Sequence, residues 1–166
     1  FAEASLDRAA DLVAGWARTE GSREALFYDY VVSYLLAMDG QEAAVAEYQW
    51  KLERCRERAA WFGNRRFAYE WLGQDSGLGR LVHHSDLPAW ERRSGIPAPP
   101  MLLRIPGRVQ SIIKPTAGTI DFGRGLQAFV VPSASGLLRG RDENKRVTVV
   151  VAFRYDGPVA FVQKSA

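Results

Sequence analysis

The sequence predicts an α+β protein in which a helical segment is followed by a small five-stranded β-barrel. Three observations carry that prediction. Up to residue 62, apolar residues recur at the three-and-four spacing of one helix face; beyond residue 101 they alternate with polar ones, as in a half-buried strand. Between the two lies Gly95-Ile96-Pro97-Ala98-Pro99-Pro100, whose three prolines forbid helix and favour an extended connector. Charge and aromatic content divide at the same line: residues 1–100 carry a net charge of −3 and all five Trp, residues 101–166 a net of +6. The expected organisation is a helical module over 1–94, a Pro-rich connector over 95–100 and a barrel over 101–166.

The first helix is expected over residues 3–18, with Leu6, Ala9, Val13 and Trp16 on its apolar face. Gly21-Ser22 supplies a stop and a new N-cap. The second helix runs over 23–38, with Phe27, Tyr30, Tyr34, Leu35 and Met38 inward, and Asp39-Gly40 turns the chain. The third covers 41–62, with Val45, Tyr48, Leu52, Cys55, Ala59 and Phe62 as its stripe, and Gly63-Asn64 ends it. Cys55, inside that stripe, reads as a small buried hydrophobe. Lys51, Arg54, Arg56 and Arg58, with Arg65 and Arg66 just beyond, form the polar side; it is either a phosphate-binding ridge or, more simply, a solvated face with pairs such as Glu53–Arg56 and Glu47–Lys51.

Residues 70–92 have weak periodicity but large apolar side chains, and Trp71, Leu78, Leu81, Leu87 and Trp90 are expected to fill the seam between helices and barrel. His83-His84-Ser85-Asp86 reads as a connector that closes a strand-like 80–82, with Ser85 or Asp86 capping a short helix around 87–92. Glu70 is expected to pair with a nearby Arg.

In the second module Leu103, Ile105, Val109 and Ile113 alternate with Arg104, Arg108, Gln110 and Lys114, kinked at Pro106-Gly107. Turns at 115–118, Gly123-Arg124-Gly125 and 155–158, with a long loop over 133–145, separate four further strands, at 119–122, 127–131, 147–153 and 159–162. Val109, Ile120, Phe129, Val147, Val149, Val151, Phe153 and Phe161 are the expected core. Five short strands curled by glycines in this length match an OB-fold barrel.

Gly107-Arg108-Val109, Gly118-Thr119-Ile120-Asp121-Phe122, Ala128-Phe129-Val130-Val131-Pro132-Ser133 and Gly157-Pro158-Val159-Ala160-Phe161-Val162 resemble cold-shock-type OB-folds in order and spacing. That family stacks bases on aromatics of two neighbouring strands. Here Thr119 and Val131-Pro132 replace the expected aromatic positions, leaving Phe122 and Phe129 as either stacking or core residues. A wider resemblance rests on Glu70-Trp71-Leu72-Gly73, Gly77-Leu78-Gly79-Arg80-Leu81-Val82-His83, Leu87, Trp90, Gly140-Arg141-Asp142-Glu143-Asn144-Lys145-Arg146-Val147 and residues 153–160. These are similar to the C-terminal end of sterile-alpha-motif-domain nine and nine-like proteins, large cytoplasmic antiviral STAND-type ATPases. The resemblance implies tetratricopeptide-like helices leading into a terminal OB-fold, without the ATPase core. No Gly-rich loop ending in Gly-Lys-Ser/Thr is present, and Phe1 in place of an initiator Met is what a piece of a longer protein would have.

Composition is that of an ordinary globular chain, 47% hydrophobic and 25% charged. No apolar run approaches a membrane span. One Cys and two adjacent His give no expected metal site or disulfide and fit a reducing compartment. No nucleophile elbow or carboxylate pair is legible, so neither an enzyme nor a cofactor is expected. The basic loop around Arg139, Arg141, Lys145 and Arg146 reads in two ways, as a phosphate grip or as a surface docked on the acidic helical module. The candidate nucleic-acid-binding set is Arg108, Lys114, Arg139, Arg141, Lys145, Arg146, Phe122 and Phe129. Expected partners are RNA or DNA and the rest of a larger cytoplasmic parent protein, with a protein-interaction or autoinhibitory role as the alternative.

Overall fold

The computed structural model describes residues 3–19, 23–59, 70–74, 80–87 and 101–163. It contains three helices followed by a closed five-stranded barrel with a β-hairpin added to its wall. The helices are α1 (Glu3–Thr19), α2 (Arg23–Met38) and α3 (Ala43–Ala59). The hairpin is β1 (Glu70–Leu72) with β2 (Leu81–His83), and the barrel is built from β3 (Ile105–Lys114), β4 (Ala117–Gly123), β5 (Leu126–Val130), β6 (Arg146–Arg154) and β7 (Gly157–Val162). The expected features at Gly21-Ser22, Phe62, Gly63-Asn64, Arg65, Arg66, Leu78, Trp90 and 95–100 lie outside the described residues.

In the barrel β6 pairs with β3, β3 with β4, β4 with β5, β5 with β7 and β7 back with β6. All pairings are antiparallel except β5–β7, which is parallel at Phe129 and Val159. This is the strand order of an OB-like barrel. The Gly123-Arg124-Gly125 reversal has φ of 82°, 56° and 80°, left-handed values that glycine adopts without steric cost. At Gly107 a Cβ would lie 2.6 Å from Ile120 Cγ2, so only glycine lets β4 side chains cross the barrel there.

One expected alternation fails. Val109 and Ile112 are buried, whereas Ile113 is 66% exposed. The β3–β4 register shifts between Val109 and Ser111 and again between Ile112 and Lys114. A bulge adds a residue and turns the following side chains to the other face.

The helices close one end of the barrel. α2 is buried almost all round, from Ala25 to Ala37 with Tyr28 half-buried. Three of the tyrosines that face the barrel reach its backbone carbonyls: Tyr30 Oη donates to Arg154 O, Tyr34 Oη to Gln127 O at 3.2 Å, and Tyr48 Oη to Gly125 O at 3.2 Å. Burial raises the pKa of all three phenols, so they stay protonated as donors. Phe27, Tyr30, Tyr34 and Phe153 pack edge-to-face across the junction, and one apolar core runs from helices into barrel.

Among the described residues the seam is therefore formed by aromatic residues of α2 and α3, and Trp71 and Leu87 of the set expected from residues 70–92 do not join it. Trp71 and Leu87 instead form a second cluster with Leu102, Val150 and Ala152 on the outer side of β6, joined by Val82 and Phe161. Of the described residues in that set, only Leu81 packs on the main core. Within the stretch read as a helical module over 1–94, residues 70–72 and 81–83 are strand: β1 pairs with β6 at Glu70↔Phe153 and Trp71↔Ala152, beyond the part of that edge taken by β3. The Glu70 carboxylate accepts from Tyr28 Oη at 2.7 Å rather than pairing with an Arg, and Arg80 ion-pairs with Asp39 at the end of α2.

On α1 the buried face is Leu6, Ala10, Val13 and Ala17, with Trp16 exposed in place of the expected contact. On α3 the pairs Glu53–Arg56 at 2.8 Å and Glu47–Lys51 at 3.2 Å form as expected. Lys51, however, is only 7% exposed: its ammonium sits 3.1 Å from the buried Asp29 carboxylate and donates to Ser33 Oγ at 3.0 Å.

Candidate functional site

Antiparallel connection sends alternate loops to opposite ends of the barrel. The β4–β5 and β6–β7 turns meet the helices. The β3–β4 turn and the long β5–β6 loop lie at the other end, where Ser133 N donates to Pro115 O at 2.9 Å and Asn144 N to Val109 O at 2.7 Å. Among the described residues the basic loop therefore lies at the end of the barrel away from the turns that meet the helices, and no described contact joins it to α1, α2 or α3.

One carboxylate organises this loop from within. Asp142 is 2% exposed and accepts from Leu138 N at 2.7 Å, from Arg141 Nε at 3.0 Å and from Arg141 Nη2 at 2.8 Å, with Lys145 Nζ 3.6 Å away. The Arg141 guanidinium, and then the Leu138 amide, hold its carboxyl down at about 2. Glu143 accepts from Gly140 N at 2.7 Å. Arg139, Arg141, Lys145 and Arg146 are exposed, Arg141 and Lys145 while paired with Asp142. Arg139 Nη1 reaches back to Ile113 O at 3.3 Å, next to Lys114.

Arg108 and Arg146 are direct cross-strand partners on β3 and β6, both exposed. The Val109–Lys145 backbone bond of 2.9 Å sets Lys145 beside them. The structure therefore brings together all six predicted cations, as a patch over one barrel end and the adjoining wall. Among the described residues, Arg108, Lys114, Arg139 and Arg146 form no ion pair.

The two aromatics do not share a surface. Phe122 closes over Gly107 and packs, half-buried, against the core. Phe129 is 42% exposed on the outer face of β5, so it is not a core residue. The reason is parity: Ile120 on β4 points inward and so does Phe122, while on β5 Ala128 and Val130 point inward and Phe129 outward.

A second feature was not read from the sequence. Between α3 and the β5–β7 side of the barrel lies a cleft of about 430 Å³, lined by Leu52, Arg56, Gln127, Phe129, Arg154 and Pro158 among others. Arg56 is engaged there by Glu53 and by the Asp156 carbonyl, at 2.8 Å each. Arg154 Nε is buried without a hydrogen-bond partner among the described residues. The only sequence signal was a cation ending the apolar run of β6.

His83 Nδ1 lies 2.8 Å from Ser85 Oγ and accepts from Ser85 N, so His83 caps the short 3₁₀ turn His84–Asp86; the helix expected around 87–92, with Ser85 or Asp86 as its cap, lies beyond the described residues. Among the described residues no group of three or more His, Cys, Asp or Glu converges, and no helix is long and apolar enough to cross a membrane. No protein-family profile, curated protein sequence or solved structure matches this chain.

Proposed function

We propose that this chain is a non-catalytic module that binds nucleic acid, chiefly through phosphates, within a larger cytoplasmic antiviral ATPase of the STAND kind that its sequence resembles. The observation that supports the binding reading is the patch of Arg108, Lys114, Arg139, Arg141, Lys145 and Arg146, with Asp142 turned inward beneath it. Phosphate contacts fix register without reading sequence. With Phe129 the one exposed aromatic on the described barrel strands, affinity depends on charge and discriminates poorly among sequences.

With Arg141 and Lys145 already paired to Asp142, four phosphates engaged on a single strand imply a salt slope of roughly −3, which is about a 50-fold loss of affinity from 50 to 200 mM salt. The test is titration of labelled single- and double-stranded RNA and DNA at two salt concentrations. It is repeated on Arg139→Glu with Arg146→Glu, positions that leave the Asp142 contacts intact. Expected is low-salt binding that the double variant removes. No low-salt binding, or binding that resists both salt and charge reversal, sinks the reading.

A protein-interaction or autoinhibitory role is the second reading. It is favoured by Ile113 and Leu138, which are 66% and 55% exposed at the same end of the barrel.

A further inference from the structure

We infer that the cleft between α3 and the β5–β7 side of the barrel binds a small aromatic oxyanion, with the Arg154 guanidinium holding the anionic head and the Phe129 ring the planar body. At about 430 Å³ it falls in the range of small-molecule sites, roughly 300–1,000 Å³. The site lies at the opposite end of the barrel from the basic loop, so it does not depend on the nucleic-acid reading.

Arg154 is what makes the cleft more than a groove. Around it the polar groups of the helix–barrel seam are matched: Tyr30, Tyr34, Tyr48 and Arg56 all donate to backbone carbonyls. The Arg154 Nε–H is matched by nothing among the described residues although it is buried. Arg154 lines the cleft and forms no ion pair among the described residues, and a carboxylate or phosphate in the cleft meets the outer Nη groups of its guanidinium.

The rest of the lining narrows the ligand. The half-exposed Phe129 ring, with Leu52 and Pro158, offers a flat apolar surface. Gln127 and Thr119 lie beside it and can hydrogen-bond the edge of a ring. Arg56 is already engaged by Glu53, and Asp156 adds a second carboxylate to the lining. That balance of charge favours one compact anionic group over a polyphosphate.

The test uses the 166-residue chain with two oxyanion probes, AMP for the phosphate head and N-acetyltryptophan for the carboxylate head. Adenosine and N-acetyltryptophanamide are the uncharged controls, and binding is read by calorimetry and by the shift in melting temperature. At least one oxyanion is expected to bind saturably while its uncharged control does not, and the arm that binds assigns the head group. Arg154→Met should weaken binding roughly ten- to a hundred-fold and Phe129→Ala roughly tenfold.

If Arg154→Met does not fold, Phe129→Ala carries the test, because its position is exposed on a strand already formed. Arg139→Glu with Arg146→Glu should remove strand binding and leave probe binding in place, so the two readings fail separately. No saturable binding of either oxyanion at millimolar concentration overturns the inference. So does binding that is unchanged in the Arg154 and Phe129 variants.

Discussion

Asp142 shows what a single side chain contributes here. Its carboxylate ties Leu138 N and Arg141 together from inside the loop, and the cations of the patch project from the frame that results. The sign of its pH effect follows from its depressed pKa. An unfolded Asp titrates near about 3.9 and this one at about 2, so its contribution is complete above the unfolded value and is lost as pH falls through the folded one. Loop order is therefore expected to disappear between about pH 4 and pH 2, seen as loss of dispersion of the Leu138 amide resonance. Asp142→Ala should show the same loss at neutral pH, with tryptic cleavage after Arg139 and Arg141 faster by roughly tenfold. An ordered, protected loop in that variant would contradict the assignment. Some residue-scale facts were legible in the sequence, including the helix-spaced pairs of α3. Others were not. Lys51 reads as a solvated cation, and it is buried because α2 brings Asp29 and Ser33 against it. Spacing along one helix carries no information about the polar groups of the next.

At the scale of elements, period identified helices and strands well and failed where a strand breaks its own period. β3 begins in the expected alternation, and the bulge then exchanges Ile112 and Ile113. Ile112→Ala is expected to cost about 2–4 kcal/mol in a denaturant melt, while Ile113→Ala should stay within about 0.5 kcal/mol. Equal costs would mean that the register is not as described. The hairpin β1–β2 was partly visible as a strand-like stretch near residue 81. Its pairing with β6 was not, because an apolar segment of three residues does not name its partner. Trp71 likewise announced a buried position without saying against what, and its contact is Phe161 on the outer wall, ring centroids 5.2 Å apart.

For the whole molecule, the continuous core implies that helices and barrel stand or fall together. Tyr30, Tyr34 and Phe153 belong to both, and no layer of solvent separates them. Unfolding is expected to be one transition, with helical ellipticity and aromatic near-ultraviolet signals lost at the same temperature. Tyr34→Ala should lower both midpoints together, by the equivalent of about 3–5 kcal/mol. A barrel signal that survives the helical one would show two independent units.

The sequence by itself determined the class of fold, the number and order of the barrel strands, and the sign of charge on each part, because periodicity, turn glycines and composition are local properties of the chain. Tertiary structure alone decided that the six cations gather at one end of the barrel, that Phe122 and Phe129 part company, and that Arg154 is left with a buried, unmatched donor beside a cleft. The physical reason is that strand polarity, side-chain parity across a bulge and the fit of α3 against β5 and β7 relate residues distant in sequence. Such relations are fixed only when the barrel closes and the tyrosines of α2 and α3 seat on its carbonyls.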